Sequence, residues 1–166
     1  MTLFNIWKNS GSDNSGTRVE DFQTGYDLSG LSEELTNYYR INKGMEQHID
    51  KNAVIRAMIS VIEDDGEPDK IFARDLDEYE DPKNITGKDE SRGFVPDMAV
   101  YYDEAVDIYE VEISGEINIE KWLDLQSYAR KHNGNLYLVV PDVVMDKVKK
   151  VLKRNNIGVG LLYFNT

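Results

Sequence analysis

Three acids, Asp97, Glu110 and Glu112, lie in two apolar runs of the chain, where a carboxylate is costly to place. Phe94-Val95-Pro96-Asp97-Met98-Ala99-Val100-Tyr101-Tyr102 and, after a short turn, Val106-Asp107-Ile108-Tyr109-Glu110-Val111-Glu112-Ile113-Ser114 read as the strands of a β-hairpin. Alternate side chains of a strand share a face, so Glu110 and Glu112 point the same way as Val106 and Ile108. Acids at the end of a buried row need compensation, and a divalent cation held by oxygen ligands is the usual form of it. The hairpin is therefore a candidate metal site.

The flanking elements decide whether those acids can meet. Ser32 caps an expected short helix through Arg40, and a longer helix is expected over about 43–62. In it Met45, Ile49, Ala53, Ala57 and Val61 recur at helical spacing, and Asp64 to Pro68 ends it. Lys70 to Leu76 reads as a strand and 77–93 as an acidic loop. Beyond the hairpin, a helix is expected from Asn118 to His132, stopped by Asn133-Gly134. A strand (Asn135 to Val140), a helix opened by Pro141-Asp142 and a last strand (Gly158 to Phe164) complete the order. Helix, three strands, helix, strand, helix, strand predicts an α/β fold, a mixed sheet flanked by helices. Residues 1–30 are expected to be a flexible extension ahead of a domain over 31–166, because 9–17 are almost wholly Ser, Gly, Asn and Asp. Leu3, Phe4, Ile6 and Trp7 either dock as an edge strand, bind a partner or cover the core.

Composition narrows the chemistry. The 166 residues suffice for a core without staples, and the absence of cysteine excludes disulfides and thiolate chemistry. No stretch reaches membrane-spanning length and the first residues do not read as a signal peptide, so a soluble, cytoplasmic protein with no membrane partner is expected. The net charge of −12 argues against a general nucleic-acid coat. Its distribution is uneven: Lys121 to Arg154 hold eight bases against three acids, a net of +5, leaving −17 for the rest. That basic third either faces phosphate or is the solvated side of two helices. No phosphate-binding loop or dinucleotide fingerprint occurs, and His48 and His132 lack a convincing serine partner for a triad.

Pro96-Asp97 on one strand, Glu110-Val111-Glu112 on the next and the element order around them resemble the PD-(D/E)xK phosphodiesterase superfamily, over roughly residues 43–164. The resemblance implies a restriction-endonuclease-like core and a Mg²⁺- or Mn²⁺-dependent nuclease, with DNA as the nucleic-acid partner and a homodimer as one allowed assembly. On the matching positions Asp97 is the first metal-binding acid and Glu110 the second. Glu112 stands where the family usually has lysine; it would serve as general base or as a further ligand. Lys121, at the start of the next helix, either restores the missing positive charge or is a solvated lysine. Gln126 interrupts the apolar stripe Ile119, Trp122, Leu125 and Ala129 and, with Tyr128, matches residues bordering the family's active site; a buried amide bonded to a backbone group is the plain alternative. Glu46 matches an acid that the family's first helix often adds to the metal site, with His48 and Asp50 as rivals. The missing lysine and the acidic surface also suit a catalytically degenerate module that binds a protein partner, and a third possibility is an acidic interaction protein of another α/β fold.

Overall fold

The computed structural model describes residues 3–8, 26–27, 49–87 and 92–164. Apolar runs of strand length alternate with amphipathic helices, and together they form an α/β sandwich. Strands β1 (Leu3–Lys8) and β2 (Tyr26–Asp27) precede helix α1 (Lys51–Gly66) and strand β3 (Lys70–Ala73). A two-stranded ribbon, β4 (Ile85–Thr86) and β5 (Gly93–Phe94), leads to β6 (Met98–Tyr102) and β7 (Ala105–Val111). Then follow α2 (Ile119–Lys131), β8 (Leu136–Pro141), α3 (Asp142–Arg154) and β9 (Gly160–Phe164).

The main sheet has the order β2-β1-β9-β8-β7-β6-β3. Five of its strands form a mixed run: β3, β6 and β7 are an antiparallel meander, whereas β7, β8 and β9 run parallel through crossovers made by α2 and α3. Strand β1 pairs antiparallel with β9, so Leu3–Lys8 docks on the sheet as a strand, with the two-residue β2 outside it. The parallel strands carry apolar side chains on both faces because helices cover both. On one face α1 packs Val54, Ile55, Met58, Ile59 and Ile62 over Met98, Val100, Tyr109 and Val111. On the other, Trp122, Leu125 and Ala129 of α2 and Val148 and Leu152 of α3 cover Val106, Ile108, Leu138 and Leu161.

Several boundaries differ from the sequence expectation. Helix α1 begins at Lys51 because Asp50, in extended conformation, accepts a hydrogen bond from the Asn52 amide at 2.9 Å and caps it. It runs on to Gly66, where Glu67 turns left-handed (φ 42°) ahead of Pro68. The expected 32–40 helix, the 43–48 part of the longer one, the 9–17 linker and Glu46 lie outside the described residues. Strand β3 ends at Ala73: the Arg74 amide still donates to the Asp97 carbonyl in register, and the chain then turns at Asp75, which is left-handed (φ 60°). The first hairpin strand is broken too: Gly93–Phe94 pair with β4, and β6 starts only at Met98. Asp97 therefore sits in the bend that enters the sheet.

Candidate active site

The register of the meander sets the acids. Met98 faces Tyr109 across β6 and β7, which puts Asp97 beside the end of β7, and the Val111 amide donates to Asp97 Oδ2 at 2.8 Å. Alternation then turns Glu110 to the α2 side of the sheet, the face of Val106 and Ile108. The Glu112 amide still donates to the Val139 carbonyl, so the β7 ladder extends one residue past its last strand residue. Asp97 and Glu110 are buried, at 0% and 1% exposure.

Cations from three elements compensate this charge. Asp97 Oδ1 accepts from Arg74 Nη2, whose neighbouring Nη1 donates to the Val95 carbonyl at 3.2 Å. Asp97 Oδ2 also lies 2.7 Å from Lys51 Nζ, at the first residue of α1. Glu110 Oε1 is paired with Lys121 Nζ, whose backbone amide is held by the Asn118 cap at 3.0 Å. The second oxygen of Glu110, Oε2, is buried with no hydrogen-bond partner. Burial, and then the Asp97 charge, pushes the Glu110 carboxyl up to about 7, against the pull of Lys121 and Lys51. Burial also raises the Glu112 carboxyl, opposed by Lys121, Lys51 and the Trp122 indole, whose N–H approaches without completing a hydrogen bond.

A pocket of about 410 Å³ opens on this cluster, lined by Lys51, Glu110, Glu112, Glu116, Asn118 and Lys121 among others. The pocket thus brings Glu110, Glu112 and Lys121 together; Asp97 is not among its lining residues and is joined to it through Lys51, and Gln126 lies outside it. Gln126 lies five residues beyond Lys121, about 7.5 Å along the helix, and its amide donates to the Gly158 carbonyl. This contact is the one the plain alternative describes, a buried amide bonded to a backbone group. Among the described residues, no three Asp, Glu or His side chains stand as a ready metal-ligand group. The reason is local: Asp97 turns to Arg74 and Lys51, and Glu110 to Lys121.

Sequence reasoning missed Arg74 and Lys51. Arg74 carries no local signal, because its partner lies 23 residues away. Lys51 does carry one: it opens a helix that has no acid in its first turn, at the end where the helix dipole favours negative charge. Comparison with family models, curated proteins and solved structures found no match.

Proposed function

We propose that this pocket hydrolyses phosphodiester bonds of nucleic acid, DNA in particular, with a divalent cation, on a restriction-endonuclease-like core. The observation that carries this reading is the Lys121 ammonium on Glu110, in a pocket that Glu112 also lines. It supplies from α2 the positive charge that Glu112 cannot supply from β7. The donors fit a hard cation, since all are carboxylate oxygens and one of them, Glu110 Oε2, is buried without a partner. Glu110 and Asp97 would hold the ion, and Glu112 would serve as a further ligand or as the base. Bound there, Mg²⁺ or Mn²⁺ supplies a Lewis acid and a water of lowered pKa.

The chain's own residues do the rest. Arg74 and the Val111 amide fix Asp97 so that Oδ2 stands on the Lys51 side, and Lys51 lines the pocket. Burial raises the Glu112 carboxyl, which makes it a stronger base toward water than a free carboxylate. Lys121, largely buried, provides positive charge where a phosphoryl group gains negative charge in the transition state.

A second reading is the degenerate module that binds a protein partner. It is favoured by the full compensation of Asp97, whose two oxygens are met by Arg74, Lys51 and the Val111 amide. Metal titration followed by plasmid nicking separates the two. On the nuclease reading Mn²⁺ raises the melting temperature, by about 2.7 kcal/mol of stability at one hundred times Kd, and supports nicking. Asp97→Ala and Glu110→Ala abolish both. A metal response without cleavage of plasmid, branched or single-stranded substrates selects the module, and no metal response rejects the metal site altogether.

A further inference from the structure

Lys51 is placed against local preference. It is the first residue of α1, directly after the Asp50 cap, and no acid accompanies it in the first turn. A cation there opposes the helix dipole, and such a local violation marks a position retained for another reason. The reason is visible in its reach. From the pocket wall the side chain, about a third exposed, places Nζ 2.7 Å from the fully buried Asp97 Oδ2. Among the described residues, Asp97 is the one carboxylate with which its ammonium forms an ion pair.

The other two contacts of Asp97 differ in kind. The Val111 amide is backbone of β7, and the Arg74 guanidinium is pinned by the Val95 carbonyl and by Asp75. Both are fixed. Lys51 is a hydrated point charge on a flexible four-carbon stem with solvent beside it. Lys51, Arg74 and Lys121 thus already compensate the two buried acids, Asp97 and Glu110, without a metal. A divalent ion entering among the acids would meet Lys51 as a competitor for Oδ2, and Lys51, unlike Arg74, has no second ion-pair partner among the described residues to hold it there.

We propose that Lys51 is an exchangeable counter-cation of the site: it holds Asp97 when no metal is bound and leaves to the pocket mouth when a divalent ion takes Asp97 Oδ2. The proposal rests on the metal reading above and adds the residue that sets the affinity. It also accounts for the scattered ligands, since the exchange is what would free Asp97 to join Glu110. Displaced, the ammonium stands at the mouth through which a phosphate must enter, so metal loading and readiness for the substrate are coupled.

The test is calorimetric titration of Mn²⁺ into the full chain and its Lys51→Met and Lys51→Arg variants, with melting temperatures taken with and without metal. Removing the competitor should tighten Mn²⁺ binding about tenfold in Lys51→Met. The same variant should melt lower than wild type without metal and gain more from Mn²⁺. Lys51→Arg, which grips the carboxylate with a planar fork, should bind Mn²⁺ more weakly than wild type, and it keeps the test open if Lys51→Met fails to fold. Wild-type binding with equal or weaker binding by Lys51→Met overturns the exchange and leaves the metal site standing. No Mn²⁺ binding by wild type or either variant overturns both.

Discussion

Glu110 is the residue at which the site's electrostatic cost is concentrated. In the unfolded chain its carboxyl has the ordinary value of 4.5, and in the fold burial and Asp97 push it up to about 7. Between those values the folded state keeps a proton that the unfolded chain has lost, so this group's contribution to stability is complete below about 4.5 and is lost as pH rises through about 7. Lys121 limits that loss by pairing with the ionised form. Lys121→Met should therefore leave stability near wild type at pH 5, where Glu110 is protonated in either protein. At pH 8.5 it should cost about 3 kcal/mol, the usual penalty for a buried charge deprived of its partner. Thermal melts at the two pH values check this, and a loss of equal size at both would mean that Lys121 stabilises by packing alone. Gln126 makes the opposite point about single residues. Its type and its place on an apolar face allowed a catalytic role or a buried amide, and its bond to the Gly158 carbonyl, 32 residues away, could not be read from spacing.

The elements show which parts of this arrangement can be read locally. Helix α2, strands β8 and β9 and helix α3 fall close to their expected ranges because periodicity and caps are local signals, as in the Asn118 cap and the unbroken run Leu136–Val140. The pairing of Glu110 with Glu112 on one pocket was equally legible, since strand alternation follows from the backbone. The break before β6 was not, because Phe94 and Gly93 pair with a ribbon strand whose own signal is two residues long. Arg74 and Lys51 escaped for a related reason: their partner is set by the fold and not by spacing. The end of α2 shows how a correct boundary can rest on the wrong residue. Gly134 was expected to stop the helix by turning left-handed, yet it is Asn133 that does so, with φ 55°. Gly134 is needed because a Cβ there would stand 2.0 Å from the Val106 carbonyl oxygen of β7. Backbone cannot yield as a side chain can, so Gly134→Ala should cost about 1–3 kcal/mol through forced separation of α2 from the β7 edge. Urea denaturation measures it; an unchanged midpoint would show that the turn relaxes freely.

Over the whole molecule, charge sets what can approach the pocket. A chain of net −12 repels a polyanion at long range, and any strand reaching the acids must be guided by the basic third. That third is not spread evenly over the surface. On α3, Lys147, Lys150 and Arg154 recur at helical spacing on an exposed stripe. Lys147 opens the stripe at the site, where its Nζ donates to the Gly115 carbonyl at 2.9 Å. Gly115 belongs to the same loop as Ser114, Glu116 and Asn118, which line the pocket beside Glu110. The stripe therefore leads away from the cluster as a continuation of its wall, and on the nuclease reading it is the track for the phosphate backbone. Lys150 and Arg154 lie far enough along the helix to be changed without touching the acids. Reversing both to glutamate should weaken binding of a labelled duplex oligonucleotide about tenfold in low salt, with the difference shrinking as added salt screens the track and lowers the gain from releasing counterions. Mn²⁺ affinity should be unchanged in the same protein, because the substituted positions are not among the residues that line the pocket. Fluorescence anisotropy across a salt series reads the first effect and calorimetry the second. A double reversal that binds the oligonucleotide as wild type does at every salt concentration would remove α3 from the path of the strand. The acidic remainder of the surface would then be the side that meets a partner, and the protein-binding module would be the better reading of the fold.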